Sequence, residues 1–354
     1  MPKKRLDIDA RMLDRSGIGT CLKNILPHLA RLSAGFDIHL HGSVPRLREL
    51  VEHHHLNFQV HGIPDEPYCL NASLLPLGKS VFVENLWVPH YNVPWRGVKN
   101  LVVTVHDILH IRTDLIPRSL PQRLYARVTM ERVRKNAKCI FFDSAFTKSE
   151  FEAHVGSTSA GRVVHIGVSD RWKQLRSDPP RRAFESPYLL FVGSQMKHKN
   201  LGFLIDTFML HVDDWPYHLL IAGKMDQLRT KDSHPILNGQ ASHPRIHLLG
   251  EVSLQGLESL MFHASALVFP SIYEGFGLPP LEALACGTPA LVSDIPVHRE
   301  VLGNGATYFD PGDPGSLRDA LERIPQAHSG KLPRDYSWET TGNQVADCLE
   351  RAFS

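Results

Sequence analysis

The sequence has few of the features that mark secreted, membrane-spanning or nucleic-acid-binding proteins. Its 354 residues include five widely spaced cysteines without a Cys-x-x-Cys pair, which argues against a disulfide framework and a structural zinc site. No stretch approaches the ~20 apolar residues of a membrane span, and no apolar signal-peptide core follows the charged N-terminal residues. The net charge of +2 is too balanced to indicate nucleic-acid binding. We therefore expect a cytoplasmic protein with no nucleic-acid partner, and leave peripheral contact with the inner face of the membrane open.

The composition is that of a globular protein, with 42% hydrophobic, 8% aromatic and 21% charged residues. Disordered, collagenous and coiled-coil chains are therefore excluded. The length exceeds that of one ordinary domain, so two domains are expected.

The second half of the chain alternates short apolar runs with helical patterns, which predicts parallel β-α units. Each run is apolar without alternation, as in strands that helices cover on both faces. Helices are predicted near 200–211, 254–263, 278–285, 296–302 and 314–323. The predicted strands are Tyr188–Gly193, His218–Gly223, Ile246–Gly250, Ala266–Pro270, Pro289–Ser293 and Ala306–Phe309.

The first half repeats this alternation less regularly, with helices predicted near 18–33, 45–54, 119–137 and 146–154. Its predicted strands are Arg5–Asp9, Phe36–Leu40, Asn57–Val60, Ser80–Val83, Asn100–Val105 and Cys139–Asp143. The fold class is therefore α/β, with two doubly wound parallel sheets that face each other across an interdomain cleft. We predict a first domain over 1–168, a polar and proline-bearing linker over 169–186, and a second domain over 187–335.

Ligands of open parallel sheets bind beyond the carboxyl ends of the strands, so the loops there are the candidate sites. The segment after Ala266–Pro270 forms a glycine turn and enters a helix, with Glu274 in the turn and Glu282 inside the helix. Free amides at a helix start suit an anion, whereas two carboxylates accept hydrogen bonds from hydroxyls. A phosphate that carries sugar hydroxyls would satisfy both.

The pattern from Glu274 to Glu282, followed by Ala285-Cys-Gly-Thr-Pro289, resembles the signature of retaining nucleotide-sugar glycosyltransferases of family 4 (glycosyltransferase group 1). The resemblance extends over nearly the whole chain, and its N-terminal part is similar to bacterial mannosyltransferases of surface polysaccharide assembly. Further matching segments are Ile8–Arg11, Ser16–Gly19, Val105–Ile108, Asp143–Lys148, Leu189–Asn200, Leu219–Lys224, Leu248–Gly250 and Tyr308–Pro314. The resemblance implies the GT-B fold of two Rossmann-like domains, with a C-terminal helix, 336–354, that crosses back to the first domain.

The resemblance also implies roles for individual residues. Glu282 would bind the ribose hydroxyls of the donor, Glu274 the hydroxyls of the transferred sugar, and Lys199 the diphosphate. An ammonium suits that last role because negative charge builds on the leaving group. Relatives carry a second basic residue a few positions before the lysine, and here Lys197, His198 or neither fills that place. The remaining donor-binding residues implied are Gly17, Gly19, Gly193, Gly275, Phe276, Gly277 and Leu278.

His106 follows the predicted strand Asn100–Val105, and the family pattern implies that it contacts the transferred sugar or positions the acceptor. His106, Glu274 and Lys199 are thus the candidate catalytic residues. The one Asp-x-Asp, Asp7 to Asp9, lies within the first strand, so we interpret Asp9 as structural or at the edge of the cleft. We expect no metal and no cofactor.

A predicted helix between Pro117 and Lys138 carries seven basic residues against Glu131, and Arg123, Arg127, Arg134 and Lys138 share one face. This face is either solvated, or it contacts an anionic acceptor or a membrane surface. Nothing in the sequence decides between these alternatives.

The predicted function is transfer of a hexose, with mannose favoured, from a nucleotide diphosphate sugar to a glycan or lipid-linked acceptor in polysaccharide or O-antigen-type biosynthesis. GDP-mannose is the favoured donor, and UDP and dTDP sugars remain open. The alternatives are a nucleotide-sugar epimerase of the GT-B fold and a non-catalytic sugar-nucleotide binding module.

Overall fold

The computed structural model describes residues 2–14, 16–63, 77, 82–112, 115, 119–224, 232–324 and 332–354. Arg118, at the start of the predicted basic segment, lies outside them. The chain divides into two compact units. The first comprises Met1–Ile111, Arg118–Gly167 and Tyr336–Ser354, and the second comprises Arg112–Pro117 and Val168–Asp335.

The first unit contains a seven-stranded, wholly parallel sheet in the order β3-β2-β1-β4-β5-β6-β7. Its strands are β1 Lys4–Asp9, β2 Phe36–Gly42, β3 Gln59–Gly62, β4 Val83–Val88, β5 Val98–Val105, β6 Ala137–Phe142 and β7 Gly161–Val163. Its helices are α1 Ser16–Ile25, α2 Val44–His53, α3 Leu120–Asn136 and α4 Ala145–His154, and a 3₁₀ helix spans Leu26–Ala34.

The second unit contains a six-stranded parallel sheet in the order β10-β9-β8-β11-β12-β13. Its strands are β8 Tyr188–Val192, β9 His218–Ala222, β10 Ile246–Gly250, β11 Ala266–Phe269, β12 Ala290–Ser293 and β13 Thr307–Phe309. Its helices are α5 Asp170–Gln174, α6 Leu201–Leu210, α7 Leu254–His263, α8 Leu278–Cys286, α9 Pro296–Leu302 and α10 Pro314–Glu322, and a 3₁₀ helix spans Lys197–Lys199. Helix α11, Trp338–Phe353, belongs to the first unit.

Both sheets follow the doubly wound order in which the first strand lies centrally and the chain proceeds outward on either side. The strands in the middle of each sheet can be covered by helices on both sides because their residues are apolar on both faces. In the second sheet Leu189, Phe191, Val268 and Leu291 are fully buried against helix side chains. The predicted α/β fold class with two parallel sheets is therefore confirmed.

Two predicted elements of the first unit differ from the structure, and one strand was not predicted. The strand predicted at Ser80–Val83 is found at Val83–Val88, because the polar Glu84 and Asn85 interrupt the apolar pattern. Asn85 is nevertheless buried, because its side-chain amide links β4 to both neighbouring strands: it donates to the Arg5 carbonyl and accepts from the Asn100 side chain. The helix predicted over 18–33 is α1 followed by the 3₁₀ helix, with Pro27 near the junction. Strand β7 has only three residues and left no recognisable pattern.

The segment predicted as a linker, 169–186, begins with the short helix α5, whose Ser169 side chain caps its first turn. Trp172 and Leu175 are buried in the second unit. The Arg176 guanidinium donates to the carbonyl oxygens of Leu284 and Ala285 at the end of α8, at 2.8 and 3.0 Å. This part of the segment therefore supports the helix that carries Glu282.

Helix α11 packs against α1 and the 3₁₀ helix of the first unit. Gly342 permits the close approach, because a Cβ there would lie 2.4 Å from the Cβ of His28. The Thr341 hydroxyl donates to the His165 carbonyl at 2.8 Å. The last 19 residues of the chain, 336–354, thus complete the first unit although they follow the second in sequence.

Candidate functional site

The candidate site of the second unit lies where the adjacent parallel strands β8 and β11 end. Strand β8 leads to the 3₁₀ helix Lys197–Lys199, and β11 leads to the glycine turn before α8. The two loops are joined by a backbone hydrogen bond of 2.8 Å from the Ile272 amide to the His198 carbonyl. The sheet topology therefore brings together residues that are far apart in sequence.

Lys199 and Glu274 form an ion pair at this edge, with 2.6 Å between Nζ and Oε1. Their side chains are 17% and 11% exposed, so the pair is largely but not wholly removed from water. The Lys199 ammonium also lies 5.2 Å from the centroid of the Phe269 ring, a cation–π contact. The structure thus places the predicted cation and the predicted sugar-binding carboxylate in direct contact.

Glu274 is held in its ionised form. Burial opposes the charge, but the positive charges of Lys199 and His198, together with the hydrogen bond from Lys199, lower the pKa of Glu274 below its ordinary value. An ionised carboxylate is an acceptor only, which suits it to bind hydroxyl groups.

The turn between the two glutamates depends on Gly277, which has a φ of +96° and immediately precedes α8. Pro279 and Pro280 follow in the first turn of the helix and have no N–H groups. The second and third residues of α8 therefore offer no amide to an anion.

Glu282 lies in α8, half-buried, in an environment opposite to that of Glu274. Burial raises the pKa of Glu282 to about 7, although the Trp172 indole N–H donates a hydrogen bond to the carboxyl. Its carboxyl therefore changes charge near neutral pH. Trp172 comes from the predicted linker segment, and the sequence contained no signal for this contact.

The other predicted site residues of the second unit differ in their burial and in their contact with the Lys199–Glu274 ion pair. Lys197 is exposed, whereas His198 is buried and contributes its charge to Glu274. Gly193 directly follows β8 and lies in close contact with Gly223, since a Cβ on Gly223 would lie 2.0 Å from the Gly193 carbonyl oxygen.

His298 of α9 also lies at this site, and the sequence patterns did not indicate it. Its side chain is fully buried, its ring centroid is 5.7 Å from that of Phe269, and its Nδ1 lies 2.9 Å from the Ser293 carbonyl oxygen. A side chain built on Gly277 would contact the imidazole, since its Cβ would be 3.5 Å from Nε2 and Cδ2.

In the first unit, both ring nitrogens of His106 face acceptors. Nδ1 is 2.6 Å from an Asp143 carboxylate oxygen, and Nε2 is 3.1 Å from the Pro89 carbonyl. Burial opposes charge on the ring, but Asp143 and the Pro89 carbonyl raise the pKa of His106 above its ordinary value. Because neither acceptor can donate, these contacts favour the protonated ring, and a ligand that hydrogen-bonds Nε2 would have to displace the Pro89 carbonyl.

The predicted phosphate-binding glycines of the first unit differ from each other. Gly17 is exposed in the first turn of α1, with open space where a Cβ would stand. Gly19 is buried, and a Cβ there would lie 2.3 Å from the Leu13 carbonyl oxygen. Packing against the preceding loop is therefore sufficient to explain the glycine at position 19.

Asp9 is engaged in a buried ion pair. The Arg11 guanidinium bridges both carboxylate oxygens at 2.9 and 2.6 Å, and the pair is more than nine-tenths buried. Across the described ranges of the chain, no group of three or more His, Cys, Asp or Glu side chains is arranged to hold a metal ion.

The predicted basic helix corresponds to α3, which ends at Asn136, so the placement of Lys138 on its face was wrong: Lys138 lies on β6. Arg134 pairs with Glu131 through two hydrogen bonds of 2.7 and 2.8 Å. Arg123 and Arg127 are exposed. In the part of the chain that the structure describes, no helix is both long and apolar enough to cross a bilayer.

Comparison with known proteins found related sequences and similar folds. Residues 186–326, most of the second unit, match the family model described as glycosyl transferases group 1. Among curated proteins, the chain is 32% identical over 237 residues to the O-antigen chain mannosyltransferase RfbU of Salmonella typhimurium, which covers 67% of this chain and 64% of that protein. It is 26% identical over 287 residues to the O-antigen chain mannosyltransferase B of Escherichia coli, covering 74% and 73%. The chain thus spans slightly less than two thirds of the first of these relatives.

A solved structure, HepE of Anabaena in complex with UDP, superposes with a TM-score of 0.67 at 17% identity, covering 98% of this chain and all of that one. This likeness concerns the fold alone, and it confirms the expected GT-B architecture. The expected resemblance to group 1 glycosyltransferases is likewise confirmed, because residues 186–326 match the glycosyl transferases group 1 model, in a chain of the GT-B fold.

Proposed function

We propose that the protein is a glycosyltransferase that moves a hexose from a nucleotide diphosphate sugar to a glycan or lipid-linked hydroxyl in O-antigen-type polysaccharide biosynthesis. One observation carries this proposal: the ionised Glu274 and the Lys199 ammonium are paired at the carboxyl ends of β8 and β11, within a glycosyl transferases group 1 domain. Mannose is the favoured sugar, because the curated relatives are O-antigen mannosyltransferases. GDP-mannose is accordingly the favoured donor.

The donor contacts follow from the chemistry of each group. Lys199 and the amides from Gly275 to Leu278 hold the diphosphate, and Glu274 accepts hydrogen bonds from the hydroxyls of the sugar. Glu282 accepts hydrogen bonds from the ribose hydroxyls. Lys199 exchanges part of its contact with Glu274 for the diphosphate when the donor binds.

The reaction retains the anomeric configuration and requires neither a metal nor a cofactor. The bond between the anomeric carbon and the diphosphate oxygen breaks, the acceptor oxygen bonds to the same face of that carbon, and the leaving diphosphate takes the acceptor proton. Lys199 stabilises the negative charge that develops on the leaving group. The first unit contributes to acceptor binding, where His106, when protonated, offers positive charge.

The test is incubation of the purified protein with GDP-mannose, UDP-glucose and dTDP sugars, with and without a strong chelator. Transfer or slow hydrolysis of one donor, undiminished by the chelator and with the anomeric configuration retained by NMR, supports the proposal. Isomerisation of the sugar without loss of nucleotide indicates an epimerase instead. Donor binding without turnover on any acceptor indicates a binding module.

We also propose that α3 contacts an anionic membrane surface. Its buried face contains Ala126, Thr129, Met130 and Val133. Its outer face carries an apolar stripe at helical spacing, Leu120, Leu124 and Val128, exposed to 74%, 62% and 38%. Arg123 and Arg127 lie beside this stripe. Exposed apolar side chains flanked by arginines are the chemistry that binds the interface of anionic lipids.

Vesicle flotation tests this surface. The protein is expected to float with phosphatidylcholine vesicles that contain phosphatidylglycerol and much less with phosphatidylcholine alone, and high salt should weaken the binding. Leu120→Ser with Leu124→Ser should abolish flotation. The control is Leu254→Ser, an equally exposed leucine (62%) on α7. Equal flotation of the α3 variant and the control would show that α3 is not the contact.

A further inference from the structure

His298 is a fully buried side chain beside the candidate site, and the donor contacts proposed above do not include it. Its Nδ1 lies 2.9 Å from the Ser293 carbonyl oxygen, which can only accept a hydrogen bond. Nδ1 therefore carries the proton, and in the neutral ring Nε2 presents a lone pair. This tautomer is assigned from its partner, as histidine tautomers in general are.

The surroundings keep the ring neutral. Burial lowers the pKa of His298 below its ordinary value, and although the Ser293 carbonyl and the charges of Glu274 and Asp294 oppose this shift, Lys199 reinforces it. Because Glu274 and Lys199 both act on the ring, His298 lies within the electrostatic range of the ion pair. At neutral pH its Nε2 is thus an acceptor, not a cation.

Nε2 of His298 is fully buried, and within the described part of the chain it has no hydrogen-bond partner. A buried polar atom without a partner costs stability, so such an atom in a folded protein calls for an explanation. The ring cannot turn to satisfy it without breaking the hydrogen bond of Nδ1 to Ser293.

The edge of the ring that bears Nε2 faces the glycine turn. The Cβ that a larger residue at position 277 would carry lies 3.5 Å from both Nε2 and Cδ2. Gly277 lies between Glu274 and Glu282 in the chain, so Nε2 faces the backbone that we propose lines the donor. Glycine here serves two purposes, since it permits a φ of +96° and leaves the side of the turn that faces Nε2 free of a side chain.

We propose that Nε2 of His298 accepts a hydrogen bond from a hydroxyl of the transferred sugar, and that His298 thereby helps to select the hexose. This inference rests on the proposed function. A site built to bind a hydroxyl rejects an analogue that lacks it, because the buried acceptor is then left unpaired. Glu274 and His298 would bind different hydroxyls of the sugar. Glu274 is the charged acceptor, and His298 is the neutral acceptor.

The experiment compares the wild type with His298→Asn and His298→Gln, using GDP-mannose and its 2-, 3-, 4- and 6-deoxy analogues as donors. Asparagine can still donate to the Ser293 carbonyl but has no atom at the position of Nε2. Glutamine reaches that position with an amide oxygen. The readouts are kcat/KM for each donor, the affinity for GDP and the thermal unfolding temperature.

We expect one deoxy analogue to lower kcat/KM of the wild type by roughly 10- to 100-fold, the discrimination typical of a lost buried hydrogen bond. His298→Asn should show a similar loss with GDP-mannose itself and no further loss with that analogue. Affinity for GDP should be unchanged, and His298→Gln should recover part of the activity.

Three results would overturn the inference. The first is a wild type equally active on all four deoxy donors, and the second is a His298→Asn enzyme with the same sensitivity to each of them as the wild type. The third is a parallel loss of GDP affinity and turnover in both variants, which indicates a structural role. If the wild type transfers sugar while any of these holds, the proposed function stands and only the role of His298 fails. If the wild type transfers no sugar from any nucleotide donor, the proposed function itself fails.

Discussion

Replacing Glu274 with glutamine is expected to lower sugar transfer by about 10²- to 10³-fold, the usual cost of removing one group that stabilises the transition state electrostatically. The substitution keeps the size of the side chain but removes the charge that burial opposes and that Lys199 and His198 maintain. Affinity for GDP should remain the same or increase, because Lys199 loses its competing partner at 2.6 Å. Steady-state transfer kinetics and calorimetric titration with GDP measure the two effects.

The matched control is Glu251→Gln, the same substitution at an exposed glutamate of the second unit. It should leave both transfer and GDP affinity unchanged. Near-normal turnover of Glu274→Gln, measured beside this control, would remove Glu274 from the mechanism. A loss of GDP affinity as large as the loss of turnover would instead show that Glu274 binds the nucleotide and not the sugar.

Replacing Glu282 with glutamine is expected to stabilise the protein at pH 8 and to weaken nucleotide binding. Folding raises the pKa of Glu282 from 4.5 to about 7. The protonated form is therefore favoured in the folded state, and its contribution to stability is complete below pH 4.5 and is lost as the pH rises through 7. Glutamine mimics the protonated carboxyl and can still accept from Trp172. At pH 8 the variant should gain up to about 3 kcal/mol in the free energy of unfolding, and at pH 4.5 almost nothing.

Nucleotide binding should show the opposite effect. In the wild type only the ionised carboxylate offers both oxygens to the ribose hydroxyls, so affinity for GDP should fall as the pH is lowered through 7. Glu282→Gln should bind GDP weakly and with little dependence on pH. Denaturant unfolding and GDP titration at pH 5 and pH 8 separate these effects. A wild type and variant that respond identically to pH would show that Glu282 does not titrate in this range.

Much of the second unit was predictable because its strands are buried on both faces. Runs such as Tyr188–Gly193 and Ala266–Pro270 are apolar without alternation, and the structure places β8 and β11 within one residue of them. The first unit was less predictable because polar groups are buried in its strands. Asn85 interrupts the apolar pattern of β4, yet it is paired with Arg5 and Asn100 across the sheet.

The candidate site was predictable in its residues but not in its electrostatics. The spacing of Glu274 and Glu282 in the sequence indicates two hydrogen-bond acceptors around a glycine turn. It does not indicate that the two carboxyl groups differ in their ionisation. The structure distinguishes them, since Glu274 has Lys199 beside it and Glu282 is half-buried next to a tryptophan. Ionisation depends on neighbours from distant segments, and a pattern of nearby residues contains no information about those neighbours.

The sequence by itself determined the elements of this protein: parallel strands, the glycine turn and the acidic pair that follows β11. The tertiary structure alone decided how the neighbours of each glutamate set its pKa, and that the buried imidazole of His298 faces Gly277. The physical reason is the range of the interactions. Hydrophobic periodicity reports how each local segment is buried, whereas charge states and unpaired acceptors are set by contacts such as Lys199 with Glu274, 75 residues apart in the chain.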